Sequence, residues 1–158
     1  MACVVACQDQ NDLPEDAKSF RHVTRLEQGR FPDVSISFVS VACLHCGDAP
    51  CLMVCPTKAL FKREQDGVVD VNVDLCVGCH SCALACPFGA PRFPWGEKMA
   101  KCDFCIERVL HGLEPACVRA CPTRALSFGP VDDLTVAKAE KAGATLLRSF
   151  LSTSGTER

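Results

Sequence analysis

A chain of 158 residues suffices for one compact domain, or for two very small modules sharing a core, and is too short for two ordinary domains. Its formal charge of −2 and pI near 6.1, with Lys and Arg scattered along the sequence, provide no basic block of the kind that binds nucleic acid. The outlying number is 14 Cys, a density that in a soluble protein belongs to a disulfide scaffold or to a metal site.

Met1-Ala2-Cys3-Val4-Val5-Ala6-Cys7 lacks the basic start, apolar core and small-residue cleavage site of a secretory leader, so no signal peptide is expected and a reducing, cytoplasmic setting is favoured. Every apolar run is cut by charges, Pro or Cys short of the roughly 20 residues that cross a bilayer, so no membrane span is expected. Residues 20–27 and 34–41 read as a pair of strands, the second setting Ser35, Ser37 and Ser40 against Ile36, Phe38 and Val41 in an imperfect alternation. Residues 59–62 and 68–73 flank Asp66-Gly67, and β-branched residues on either side of Asp-Gly predict a β-hairpin. Short helical turns are predicted within 49–54, 80–85, 103–111 and 115–120, each carrying cysteines at its ends. The longer candidate helix covers 134–151, capped by Asp132 or Asp133, with Leu146, Leu147, Phe150 and Leu151 on one stripe; it is read as a docking or packing helix. Residues 152–158 are polar and expected to fray. The class is α+β, with small elements wrapped around something other than a hydrocarbon core.

The cysteines fall into four groups. The first holds Cys3 and Cys7. The second, Cys43, Cys46, Cys51 and Cys55, reads C-x2-C-x4-C-x3-C-P to Pro56. The third, Cys76, Cys79, Cys82 and Cys86, reads C-x2-C-x2-C-x3-C-P to Pro87, and the fourth, Cys102, Cys105, Cys117 and Cys121, reads C-x2-C-x11-C-x3-C-P to Pro122. Cys55-Pro56-Thr57-Lys58-Ala59-Leu60 returns as Cys121-Pro122-Thr123-Arg124-Ala125-Leu126, which predicts two homologous halves.

A cubane iron–sulfur cluster has four iron corners, each needing a thiolate, and a C-x2-C-x2-C loop wraps tightly enough to serve three of them. In two-cluster ferredoxins the last Cys of each C-x2-C-x2-C-x3-C-P run crosses to the other cluster. Two such runs imply exchange: Cys43, Cys46 and Cys51 with Cys86, and Cys76, Cys79 and Cys82 with Cys55. By the same logic Cys102, Cys105 and Cys117 are completed by Cys7, and Cys121 joins a cluster begun by Cys3 that is two ligands short. Disulfides are disfavoured because cysteines three residues apart in a turn rarely meet disulfide geometry. Zinc is the stronger competitor, since paired C-x2-C elements build zinc ribbons, but zinc motifs rarely end in C-x3-C-P.

Other residues carry less. His45 and His80 lie inside cysteine loops, where each could donate to cluster sulfur; a solvent-facing or backbone-bonded ring is the simpler reading, and His22 and His111 carry no signal. Trp95 suits either cluster cover or local packing. Lys58, Lys101 and Arg124, each close to a cysteine, either stabilise reduced clusters or are solvated surface charges. No phosphate-cradling loop, dinucleotide fingerprint or nucleophile–base pair appears, so a catalytic centre is not expected.

The strings Cys43-Leu44-His45-Cys46, Cys76-Val77-Gly78-Cys79, Cys86-Pro87-Phe88-Gly89-Ala90-Pro91, Lys101-Cys102-Asp103-Phe104-Cys105 and Pro115-Ala116-Cys117, with Cys121-Pro122-Thr123, resemble the four-cluster electron-transfer subunit of the dimethyl sulfoxide reductase family of molybdenum and tungsten enzymes. The resemblance covers roughly residues 1–130. It implies tandem bacterial-type ferredoxin modules within an iron–sulfur domain 1–131, module 42–90 being inserted into one built from 1–20 and 91–131, followed by a helical tail 132–158. It implies a molybdopterin-containing catalytic subunit near the first-group cluster, a quinone-reactive membrane anchor near the third-group cluster, and peripheral membrane association within that complex. Electrons would pass in the order third, second, fourth, first, or the reverse. Cys79 is present where some relatives lack it, so a four-iron cluster is expected there. Relatives open with a full C-x2-C-x2-C-x3-C, whereas Met1-Ala2 stand just before its third Cys, so two upstream cysteines are expected to be missing from this start; the alternative is a three-cluster protein with Cys3 and Cys121 idle. A hydrogenase or formate-oxidising complex is the alternative assembly, a zinc-built interaction module the alternative class, and a free-standing ferredoxin a further option.

Overall fold

Cysteines every few residues, each needed at a set place, leave little room for long elements, and the chain folds accordingly. The computed structural model describes the backbone of residues 1–153 and the side chains of residues 1–148. Helix α1 spans Ala2–Gln10, strands β1 (His22–Arg30) and β2 (Asp33–Val41) form a hairpin, and α2 is one turn, Pro50–Met53. Strands β3 (Leu60–Lys62) and β4 (Val69–Val71) form a second hairpin, followed by a 3-10 turn at Val73–Leu75 and by α3 (Ser81–Ala85), α4 (Ile106–Leu110), α5 (Ala116–Arg119) and α6 (Val131–Thr153). Small strands mixed with short helices are the content of a ferredoxin-type domain.

Both hairpins fall where strands were predicted. In the first, β1 and β2 are antiparallel from His22↔Val41 to Arg30↔Asp33, so β1 starts two residues later and ends three later than the alternation suggested. In the second, Leu60 pairs with Val71 and Lys62 with Val69, and the Asp-Gly turn is pinned by Asp66 Oδ1, which accepts from Val68 N–H at 2.9 Å, and by an Arg63–Asp66 ion pair at 3.0 Å. Helix α6 begins at Val131, with Leu134 N–H donating to Pro130 O at 3.1 Å. Asp132 and Asp133 therefore sit inside the first turn, where the positive end of the helix favours acids, and neither is the cap. Leu146 and Leu147 are exposed; the side chains of Phe150 and Leu151, and residues 154–158, lie outside the described residues. Helix α1 was not anticipated.

The chain divides into two compact units, Met1–Pro122 and Thr123–Arg158. In the first, Ala49, Leu60, Val69, Cys82 and Met99 form one buried cluster, flanked by Cys46, Cys51, Cys55 and Cys76. Cys7, Leu13 and Phe20 form another, flanked by Ala100 and Cys102. Five of the fifteen buried apolar residues among the described residues are cysteines, so a third of this core is thiol.

The loops share a backbone device. In the first C-x2-C turn of each four-cysteine group the residue before the second Cys is left-handed: His45 (φ 46°), Gly78 (φ 68°) and Phe104 (φ 67°). After each Cys-Pro the second residue beyond the Pro is left-handed too: Lys58 (φ 53°), Gly89 (φ 56°) and Arg124 (φ 50°). The repeat is thus one of conformation as well as of sequence. A left-handed residue reverses the local curl and turns successive side chains to the inside of the loop, at a steric cost that only Gly escapes. At Gly78 there is a second constraint, because an added Cβ would lie 2.5 Å from Glu97 O. Gly78→Ala is expected to destabilise the anaerobically purified protein by roughly 1–3 kcal/mol, read as a fall in its thermal unfolding midpoint; an unchanged midpoint would contradict this packing.

Candidate metal centre

No cysteine is in a disulfide. The β3–β4 hairpin, α3 and the segment before Met99 surround a small, partly open cavity, and four thiols line it: Cys55, Cys76, Cys79 and Cys82. The rest of its wall includes Leu60, Val71, Phe93 and Met99. A second small cavity is lined by Cys43, Cys46, Cys51 and Cys86, with Ala49, Val69, Phe88 and Lys101. In both, three thiols come from one loop and the fourth from another run of sequence.

A third set meets around α1. Cys3 and Cys7 lie one turn apart on this helix, both buried, and α1 packs against α5, which carries Cys117. Burial pushes the Cys7 thiol up, opposed by bonds from Ser19 and the Arg21 backbone, and the nearby Cys117 pushes it up further. Burial likewise raises Cys105, with Cys117 and Cys7 adding to the effect. Burial pushes Cys102 up to about 12, with Cys7 and Cys43 as neighbouring charges. Cys7 is therefore a neighbour of Cys102, Cys105 and Cys117, and Cys102 also lies near Cys43 of the second cavity. Cys3 Sγ lies 3.8 Å from Ser40 Oγ, and Cys121 is half-buried just beyond α5; neither lines the two cavities.

Sulfur basicity is uneven. Burial raises Cys51 and Cys82. At Cys55 burial, the largest single influence, pushes the thiol up, but the backbone N–H groups of Leu60, Ala59 and Thr57 and the Thr57 hydroxyl together outweigh it, and the thiol is lowered. Cys79, exposed, is lowered chiefly by Ser81, whose Oγ lies 3.5 Å from its Sγ. Backbone donors reach two further sulfurs: Ala90 N–H to Cys86 at 3.4 Å and Met99 N–H to Cys76 at 3.5 Å.

The donor set decides what fits. Four soft thiolates with no carboxylate in either wall suit zinc, copper(I) or iron–sulfur cores. Among the described residues no three His, Cys, Asp or Glu side chains converge tightly enough for one metal ion. Sulfurs spread around a cavity match a polynuclear core instead. His45 adds a buried Nε2 with no protein partner, its Nδ1 accepting from Val69 N–H at 3.1 Å. Burial, followed by the charge of Lys101, lowers this ring to about 4.

Among the weaker candidates, His45 is backbone-bonded, while His80 is exposed and stacks on Phe93 at 3.7 Å. Trp95 is more than half exposed and lines neither cavity. Lys58 and Arg124 are exposed, whereas Lys101 is 5% exposed. Its burial has no local sequence signal, and the backbone donors to sulfur have none either.

Thiols ringing apolar cavities, on loops curled by left-handed residues, are the arrangement of a ferredoxin-type iron–sulfur domain. Residues 34–131 match the 4Fe-4S dicluster domain, and the protein belongs to that family. It is 48% identical over 135 residues to Protein NrfC of Escherichia coli K12, covering 84% of this chain and 60% of that protein. It is 43% identical over 141 residues to the B subunit of the anaerobic dimethyl sulfoxide reductase of the same organism, covering 84% of this chain and 68% of the relative. Against the Protein NrfC homolog of Haemophilus influenzae it is 42% identical over 143 residues, covering 89% and 63%. The chain thus spans about 60% of the NrfC proteins it matches. Among the described residues no helix is long and apolar enough to cross a membrane.

The thiolate is the reactive form, so iodoacetamide should label the iron-free protein first at Cys79 and last at Cys102, the two differing more than tenfold in rate, as followed by peptide mass spectrometry; equal rates would contradict the site as described.

Proposed function

We propose that the chain is a non-catalytic electron-transfer subunit, relaying electrons through a row of 4Fe-4S clusters between a molybdopterin-containing catalytic subunit and a quinone-reactive membrane subunit or another redox partner. The observation that carries this reading is the sharing of thiols between loops. Cys86 lines the cavity of Cys43, Cys46 and Cys51, while Cys55 lines that of Cys76, Cys79 and Cys82. Crossing of the fourth cysteine is the habit of two-cluster ferredoxins.

On this reading the ligand sets are Cys43, Cys46, Cys51 and Cys86; Cys76, Cys79, Cys82 and Cys55; and Cys102, Cys105, Cys117 and Cys7. Cys3 and Cys121 supply two of the four thiolates a further cubane needs. Residues 42–90 are one two-cluster module, inserted into a second formed by 1–20 and 91–131, and 132–158 are a helical tail.

When bound, the clusters supply one-electron redox centres. The protein's part is to hold thiolates at the corners, to keep water out with Leu60, Met99 and Val69, and to aim the N–H groups of Ala90 and Met99 at sulfur, which favours the more negative reduced state. The order third, second, fourth group is supported by Cys102 lying near enough to Cys43 for their charges to interact, and by the edge-on contact of His45 with Phe104, 5.5 Å between ring centres, joining the two loops. A molybdopterin partner is supported by similarity to a protein named as the B subunit of a dimethyl sulfoxide reductase.

The test is a comparison of variants. Cys86→Ala and Cys46→Ala should abolish the same low-temperature spin-resonance signal of the reduced protein, and Cys55→Ala and Cys79→Ala another. Pairing of Cys86 with Cys79 would overturn the exchange. Iron analysis should give about 12 atoms per chain for three cubanes, or about 16 if the fourth is complete; an iron-free native protein would overturn the function.

A further inference from the structure

Lys101 is the one buried charged side chain among the described residues, at 5% exposure. The ion pairs of the described residues are Arg25–Glu27 and Arg63–Asp66, and neither involves it. Its Nζ donates to two carbonyl oxygens, those of Val69 and Cys102, the latter at 3.0 Å. Asp70 and Asp103, whose charges act on His45 as that of Lys101 does, form no ion pair with Lys101; each gives an Oδ1 to a backbone N–H, Asp70 to Val71 at 2.8 Å and Asp103 to Cys105 at 2.8 Å. Carbonyls satisfy the donors of an ammonium without cancelling its charge, and an uncompensated buried cation is among the most unfavourable groups a fold can hold. A buried ammonium without an ion pair suits a site that holds an anionic group.

Its position says what. Lys101 lines the cavity of Cys43, Cys46, Cys51 and Cys86, and it is the residue before Cys102, whose carbonyl it holds. It stands at the wall between two thiol sets. Its charge is felt at Cys51, where it opposes the upward push of burial. Four thiolates around an iron–sulfur core carry net negative charge, and gaining an electron adds one more.

We propose that Lys101 is the buried counter-charge of the cluster held by Cys43, Cys46, Cys51 and Cys86, raising its potential so that it accepts an electron from, or passes one to, the cluster of Cys7, Cys102, Cys105 and Cys117. The inference rests on the proposed ligand sets. It separates Lys101 from Lys58 and Arg124, whose charges are exposed to water and screened.

The test is a redox titration of the cluster-loaded full-length protein, following low-temperature spin resonance at poised potentials in wild type, Lys101→Gln, Lys101→Met and Lys101→Arg. Gln keeps N–H donors for the two carbonyls and removes the charge; Met keeps the stem; Arg keeps the charge. In Lys101→Gln and Lys101→Met the reduced-to-oxidised ratio of one cluster, at a fixed potential near its midpoint, should fall about tenfold, equivalent to 59 mV for one electron, with Lys101→Arg within twofold of wild type. The cluster that shifts should be the one abolished by Cys46→Ala. An unmoved midpoint in Lys101→Gln, or an equal shift in Lys101→Arg, overturns the counter-charge while leaving the clusters in place. Should Lys101→Met fail to retain iron, Lys101→Gln decides alone; should both neutral variants lose that one cluster while Lys101→Arg keeps it, the counter-charge stands, as an anion the site cannot hold without it. Wild-type protein free of iron and sulfide overturns both this inference and the function beneath it.

Discussion

Sulfur turned inward is the constraint from which the rest of this fold follows. A hydrocarbon core closes on itself, but thiols set around a cavity do not; the side chains that would fill the middle are absent, and the wall is held in place from outside. The single-turn helices, three-residue strands and left-handed residues on either side of the cysteines are what such a wall requires. The few fully buried hydrocarbons, Val69 and Met99, lie against the cavities and close them to water.

Electrostatics give the sites their individuality. Cys102, deep and next to other thiols, resists ionisation, while Cys55 and Cys79 are eased toward thiolate by hydroxyl and backbone donors. Ligands must be deprotonated before they bind, so assembly is harder in one set than in another. The same donors, together with the charge of Lys101, act on redox potential once metal is bound, since hydrogen bonds and burial are the protein's levers on it. Val69 links these effects: its N–H goes to His45 Nδ1 and its carbonyl accepts from Lys101 Nζ, so one residue's backbone holds both side chains.

Much of this was legible in the amino-acid order. Asp66-Gly67 announced the second hairpin, and the spacing of each cysteine group located the four short helices to within a few residues. Helix α1 was not legible because Ala2–Gln10 has almost no amphipathic pattern; it is shaped by packing on α5 rather than by local preference. Left-handed geometry could be guessed at Gly78 and Gly89, but His45, Phe104, Lys58 and Arg124 adopt it under tertiary constraint that no propensity signals. Lys101 read like any other lysine beside a cysteine, because its burial depends on Val69, which is 32 residues away in sequence. On β2, Val34, Ile36 and Phe38 remain exposed along one face, which explains why the alternation of that strand looked incomplete: neither face is committed to a core within this protein.

The central claim is that sulfurs from separate stretches of sequence close around common inorganic cores. Anomalous diffraction at the iron edge, on anaerobic crystals of the native protein, addresses it most directly. The account predicts compact iron peaks inside the ring of Cys55, Cys76, Cys79 and Cys82 and inside that of Cys43, Cys46, Cys51 and Cys86. Iron bound instead by Cys43, Cys46, Cys51 and Cys55 of a single run, or an iron-free map with isolated zinc at the thiols, would contradict it.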